Sequence, residues 1–181
     1  MYMDKIAVGP RAKGCIDIDA PVSENLERVA KALERKVSDL TVVLLDRERH
    51  YGIMDEIRRA GARIQLITDG DVNPIVNAGI EGTGVHMYIG KGGAPEGVLA
   101  AAAIKCLGGD MQARLCPEDD EQVKRCLEMG ICDCQQVLSL DDMVKGDDCM
   151  FTATAITGKQ FAQRSALFRR RCTYTYCFHA L

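Results

Sequence analysis

The sequence has no apolar run near the roughly 20 residues that a bilayer-spanning helix requires. Its first residues, Met1-Tyr2-Met3-Asp4-Lys5, lack the apolar core of a secretory leader. These two absences predict a cytoplasmic protein with no membrane partner. An excess of one charge is missing too: 23 basic and 26 acidic residues leave a net charge of −3. That balance gives no general attraction to nucleic acid or to an anionic surface. The basic run Arg169-Arg170-Arg171 has too few basic neighbours to make a nucleic-acid patch.

Several chemical signatures are also absent. Nine cysteines contain no C-x-x-C, the closest pair being Cys132-x-Cys134, and His50, His86 and His179 fall at no ligand spacing. Reduced, mostly buried thiols are therefore expected in place of a zinc site or a disulfide framework. No G-x-x-x-x-G-K-[ST] is present, and Gly90-Lys91-Gly92-Gly93-Ala94-Pro95 misses the last position of G-x-G-x-x-G. No Ser-His-Asp or Cys-His nucleophile arrangement is legible.

What is present suits one well-buried soluble domain: 181 residues, 47% hydrophobic and 27% charged. Ile6-Ala7-Val8 and the alternating Cys15–Asp19 read as strand segments. A helix with Ser23 as N-cap follows, its apolar stripe on Leu26, Val29, Ala30 and Leu33. Leu40–Leu45 is a continuous apolar run, typical of a strand buried on both faces. A helix on Ile53, Met54, Ile57 and Ala60 closes at Gly61. A strand over Arg63–Ile67 leads to a short helix, capped at Asn73-Pro74 and ending before Gly79. Val85–Ile89 is the next strand, with a glycine loop as its outlet and a helix from Pro95 onward. Met111–Leu115 and Met150–Ile156 read as later strands. Val137–Leu140 and a turn of helix over 141–144 lie between them, after a helix over Asp119–Met129. This alternation predicts an α/β fold with a largely parallel or mixed sheet and flanking helices.

In such sheets ligands bind beyond the carboxyl ends of the strands. Three successive strands end in polar or glycine loops, Asp46–His50, Thr68–Asp71 and Gly90–Glu96, which meet at one edge if the strands run parallel. Arg47 and Arg49, flanking Glu48, suit a phosphorylated ligand, or else form a solvated charged turn. Asp69 and Asp71 around Gly70 suit sugar hydroxyls or hard cations, or simply cap the next helix. Glu96 would repel a bare phosphate, and a divalent cation between them would turn that repulsion into bridging. Metal-assisted phosphate chemistry is the expectation.

Five motifs, in order, resemble the class II fructose-1,6-bisphosphatases: Tyr2–Pro10, Leu45–His50, Asp69–Val72, Gly92–Gly97 and Gly109–Leu115. The resemblance implies a layered sugar-phosphatase-type α/β fold. It also implies metal-dependent removal of the 1-phosphate of fructose 1,6-bisphosphate, giving fructose 6-phosphate in gluconeogenesis with Mn²⁺ or Mg²⁺. The family's substrate contacts fall on Arg47, Glu48, Arg49, Asp69, Gly70, Asp71 and Gly93, and one metal carboxylate falls on Glu96. Residues 1–157 read as the C-terminal part of that domain and 158–181 as a divergent tail without an ordered pattern. The family's other metal-binding acids and a substrate-binding Tyr are expected in a preceding part, so turnover by this chain alone is not expected. Alternatives are a non-catalytic sugar-phosphate-binding fragment and a related sugar or inositol phosphatase. Homo-oligomerisation is left open.

Overall fold

In a computed structural model that describes residues 1–146, 148–155 and 174–180, β1 (Tyr2–Val8) lies inside a five-stranded sheet. The other strands are β2 (Thr41–Leu45), β3 (Arg63–Ile67), β4 (Met87–Gly93) and β5 (Asp110–Cys116), in the order β3-β2-β4-β1-β5. β2 pairs in parallel with both β3 and β4, whereas β1 runs antiparallel to β4 and β5. The sheet is thus mixed, with a single reversed strand between parallel neighbours.

Alternation along the strands splits the core between two faces. Ile6, Val8, Val42, Leu44 and Met87 pack with α1 (Val22–Ala32) and α2 (Tyr51–Ala60). Ala7, Val43, Tyr88 and Met111 pack on the other face, with α3 (Val72–Gly79) and α4 (Ala94–Leu107). α4 turns small residues to the sheet, with Ala100, Ala101 and Ala103 fully buried. Its Gly97 lets it lie close to β1: a Cβ there would come within 2.6 Å of the Met3 sulfur.

A smaller cluster of Met3, Ala113, Leu115 and Cys126 closes the β5 side beneath α5 (Asp120–Glu128). Asp119 caps α5, accepting from Gln122 N at 2.7 Å. A capping box, Ser139 with Asp142, starts the four-residue α6 (Leu140–Met143). β6 (Cys149–Ala155) and β7 (Tyr174–Ala180) form a separate antiparallel pair. β7 falls within the expected divergent tail, and residues 156–173 of the chain lie outside the described ones.

Five local expectations are corrected. Cys15–Asp19 is not a strand, because side chains take up its backbone groups. Asn25 bonds both Asp17 N and Asp17 O at 2.8 Å, and Gln112 bonds Ile18 N at 2.8 Å and Ile16 O at 3.0 Å. Ser23 is not the cap of α1: the helix starts at Val22 after Pro21, whose carbonyl accepts from Asn25 N. Asn73 and Pro74 lie inside α3, which begins at Val72. Val137–Leu140 contributes only an isolated bridge between Leu138 and Ala113.

The largest correction concerns Gly90–Gly93, which is the second half of β4 rather than a loop. The central β1 offers these residues a full ladder, pairing Lys5 with Gly90 and Tyr2 with Gly93.

Candidate functional site

The carboxyl ends of β2, β3 and β4 meet at one edge, as parallel strands require. β2 delivers Asp46–His50, a short 3-10 turn leading into α2. Arg47 and Glu48 are exposed, with Arg47 Nη1 donating to the Asp46 carbonyl at 2.9 Å. Arg49 crosses to β4, donating from Nε and Nη2 to the Lys91 carbonyl at 3.2 and 2.9 Å. Its guanidinium lies 5.1 Å from the centre of the Tyr2 ring, and Lys91 Nζ lies 5.6 Å from the same ring. Two cations thus share one aromatic ring at the mouth of the edge.

His50 ties the same loop to β4 from inside. Its Nδ1 donates to the Leu45 carbonyl at 2.8 Å, and its Nε2 accepts from Lys91 N at 2.8 Å. Accepting an amide proton at Nε2 fixes the neutral tautomer with the proton on Nδ1. Burial, helped by the nearby Arg49 charge, holds the ring below the usual histidine range, although both backbone bonds and Asp4 oppose it. Gly90 (φ 149°) makes room: a Cβ there would stand 3.1 Å from the His50 ring.

β3 delivers Asp69-Gly70-Asp71, whose two carboxylates have opposite surroundings. Asp69 is exposed, its Oδ1 accepting from Gly70 N at 2.9 Å, with Gly70 at φ 74°. Asp71 is buried at the N-terminus of α3. Its Oδ2 is ion-paired with Lys5 Nζ and accepts from the Tyr88 hydroxyl at 3.4 Å. Lys5 Nζ also donates to the Gly93 carbonyl at 3.0 Å. Burial first, and then the Asp71 charge, push the Tyr88 phenol far above its ordinary range, so it serves as a donor.

The glycines of β4 exist for this cluster. A Cβ on Gly92 would stand 2.2 Å from Asp71 Oδ2 and 2.9 Å from Lys5 Nζ. A Cβ on Gly93 would stand 2.0 Å from Oε2 of Glu96, which folds back over it from the first turn of α4. Glu96 is exposed and has no ion-pair partner among the described residues. An unpaired carboxylate at a helix N-terminus is a suitable hard-oxygen donor for Mn²⁺ or Mg²⁺. It is a single donor: no group of three or more His, Cys, Asp or Glu gathers to hold a metal among the described residues.

The residues singled out in the sequence fall into two sets. Arg49, Asp71, Gly93 and Glu96 are joined through Lys91, Lys5 and the β4 backbone. Arg47, Glu48 and Asp69 stand exposed on the same edge. Sequence reasoning missed Lys5, Tyr88 and His50. A lysine beside Ile6-Ala7-Val8 was the available signal, since a buried cation needs a partner.

The mixed sheet, its helices on both faces and a mouth of arginines and aspartates define an α/β domain of the sugar-phosphatase type. The family model for bacterial, glpX-encoded fructose-1,6-bisphosphatases matches residues 1–177, and the chain belongs to that family. It is 43% identical over 169 residues to a D-fructose 1,6-bisphosphatase class 2/sedoheptulose 1,7-bisphosphatase of Synechococcus sp. (strain JA-3-3Ab), covering 87% of this chain and 49% of the relative. It is 42% identical over 170 residues to a fructose-1,6-bisphosphatase class 2 of Haemophilus influenzae, covering 87% of this chain and 51% of the relative. The chain spans about half the length of the curated relatives it matches.

Proposed function

We propose that this chain supplies the sugar-phosphate-binding face and one metal carboxylate of a fructose-1,6-bisphosphatase. The overall reaction would release the 1-phosphate of fructose 1,6-bisphosphate, a gluconeogenic step. The observation that carries this reading is the convergence of the loops after β2 and β3 on the end of β4, with cations on one side and carboxylates on the other. Arg47 and Arg49 would bind a phosphate through charge-assisted hydrogen bonds. Asp69 and Gly70 would hold sugar hydroxyls, while Asp71, locked to Lys5, sets the turn that presents them. Glu48 belongs to the same substrate-contacting loop, and the Gly93 backbone lies at its far side.

Glu96 would hold Mn²⁺ or Mg²⁺, which when bound supplies neutralisation of the phosphoryl oxygens and acidification of a water. This chain's own part is to fix the sugar phosphate and to aim Glu96 across Gly93. A cytoplasmic setting belongs to the same reading.

Calorimetric titration of fructose 1,6-bisphosphate into the purified chain tests the reading. Binding that weakens in Arg49→Ala and in Asp69→Asn is expected. Unchanged affinity in both would show that the loops are only a charged turn and a helix start.

A further inference from the structure

Two thiols from distant parts of the chain meet at the end of α4, in contacts that the proposed function does not use. Cys106 is in the last turn of α4, and Cys149 is the first residue of β6. Their sulfurs lie 3.7 Å apart, although the residues are 43 positions apart in sequence. Cys106 Sγ is also 3.2 Å from the Cys149 carbonyl oxygen, to which it donates. Cys149 Sγ reaches back to the Ala102 carbonyl at 3.8 Å, one turn earlier on the same helix. Each thiol therefore touches the backbone of the other's element as well as its sulfur.

A separate set of contacts holds this arrangement. Lys105, the neighbour of Cys106, donates from Nζ to Asp141 Oδ1 and to the Val144 carbonyl, both at 2.8 Å. Leu140, Met143 and Val144 pack against the core cluster that contains Ile104. The segment leading from α6 into β6 is thus tied to the end of α4 before Cys149 is reached. Both cysteines are half-buried, packed yet within reach of a small solute.

We propose that Cys106 and Cys149 form a reversible redox-modification site, oxidised to an intramolecular disulfide by a small-molecule disulfide of the glutathione class. A disulfide needs its sulfurs about 2.05 Å apart. Sulfurs already in contact have to close by roughly 1.7 Å, a distance that rotation about the two Cα–Cβ bonds covers. The reaction takes two exchange steps. One protein thiolate attacks a sulfur of the small disulfide and expels a small thiolate. The second protein thiolate then attacks the mixed disulfide and expels the other. Two protein thiols are oxidised, one small disulfide is reduced to two thiols, and the two protons pass to the leaving thiolates. The new bond fastens β6 to α4 and closes the loop that contains β5, α5 and α6. Closing so long a loop removes conformations from the unfolded chain, so the oxidised form is the more stable one.

The purified chain, equilibrated with reduced and oxidised glutathione, tests the site. After the remaining thiols are alkylated and the chain is digested, mass spectrometry should find Cys106 joined to Cys149. Excess dithiothreitol should abolish the link. The linked chain should melt roughly 5–10 °C above the reduced one. Cys106→Ser and Cys149→Ser should each remove both the link and the gain. Cys132→Ser, at an exposed cysteine, should leave both in place. Glutathione carried on Cys106 or Cys149, with no link between them, would overturn the proposal. So would a link that forms only in urea, or one that joins either residue to another cysteine. A linked chain that melts no higher than the reduced one would overturn it too, because the bond would then be straining the fold.

Discussion

Lys5 and Asp71 form a buried ion pair between the central strand and the start of α3, with side chains 0% and 4% exposed. Lys5 Nζ also reaches the Gly93 carbonyl, so one ammonium holds the ends of β3 and β4 in fixed relation. A buried pair of this kind adds little net stability over an apolar replacement, yet removing one partner strands a charge.

Lys5→Met is therefore expected to destabilise the chain by about 3–5 kcal/mol. Replacing both partners, Lys5→Met with Asp71→Leu, should recover most of that loss. Urea unfolding of the three proteins checks it, and equal losses in single and double variants would count against the pair.

Gly92→Ala and Gly93→Ala should differ in kind. The first pushes a methyl into the packed Asp71–Lys5 pair, so the melting temperature should fall sharply. The second meets only the end of the exposed Glu96 side chain, so the fold should hold while the carboxylate is displaced. Thermal melts together with Mn²⁺ titration separate the two outcomes, with weaker Mn²⁺ binding expected for Gly93→Ala.

Glu96→Gln keeps the shape of the side chain and removes its charge. Mn²⁺ affinity should drop while the unfolding free energy without metal stays within about 0.5 kcal/mol of the parent, as for an exposed position. Unchanged metal binding would remove Glu96 from the proposed site.

Arg49→Ala should cost about 1.5–3 kcal/mol of sugar-phosphate affinity, the range for hydrogen bonds to charged groups. Arg47→Ala should behave similarly, although Arg47 donates within its own loop, to the Asp46 carbonyl. Calorimetry with fructose 6-phosphate measures both.

His50 and His86 both bind protons less readily in the folded chain than at the ordinary value of 6.5. The stability they contribute is therefore fully present above that value and is lost as pH falls below it. Melts at about pH 7.5 and about pH 5.5 should show this loss, with a shallower slope in His50→Gln and in His86→Gln.

The strands and helices were legible because their periods are local: Leu40–Leu45 reads as buried from its own residues, and Gly61 marks the end of α2. The edge that gathers the candidate site followed from three strands in parallel. What could not be read depended on partners distant in sequence. Gly90–Gly93 resembles a loop until β1 is known to lie beside it. Cys15–Asp19 resembles a strand until Asn25 and Gln112 take its backbone groups. Asp71 looks equivalent to Asp69 until Lys5, 66 positions away, is placed against it.

The position of β1 also sets an order of events for a chain still being made. Its residues are made before either of the two strands that flank it, which end at Gly93 and Cys116. Ile6, Ala7 and Val8 must therefore wait, unpaired on both edges, until about a hundred further residues have emerged. At roughly 5–20 residues per second that is an interval of several seconds. During this time a short apolar strand with two open edges is a template for wrong pairing. Insertion of β1 closes long loops, so it should be the slow phase of refolding. The nascent chain should depend on chaperones most until Cys116 has left the ribosome.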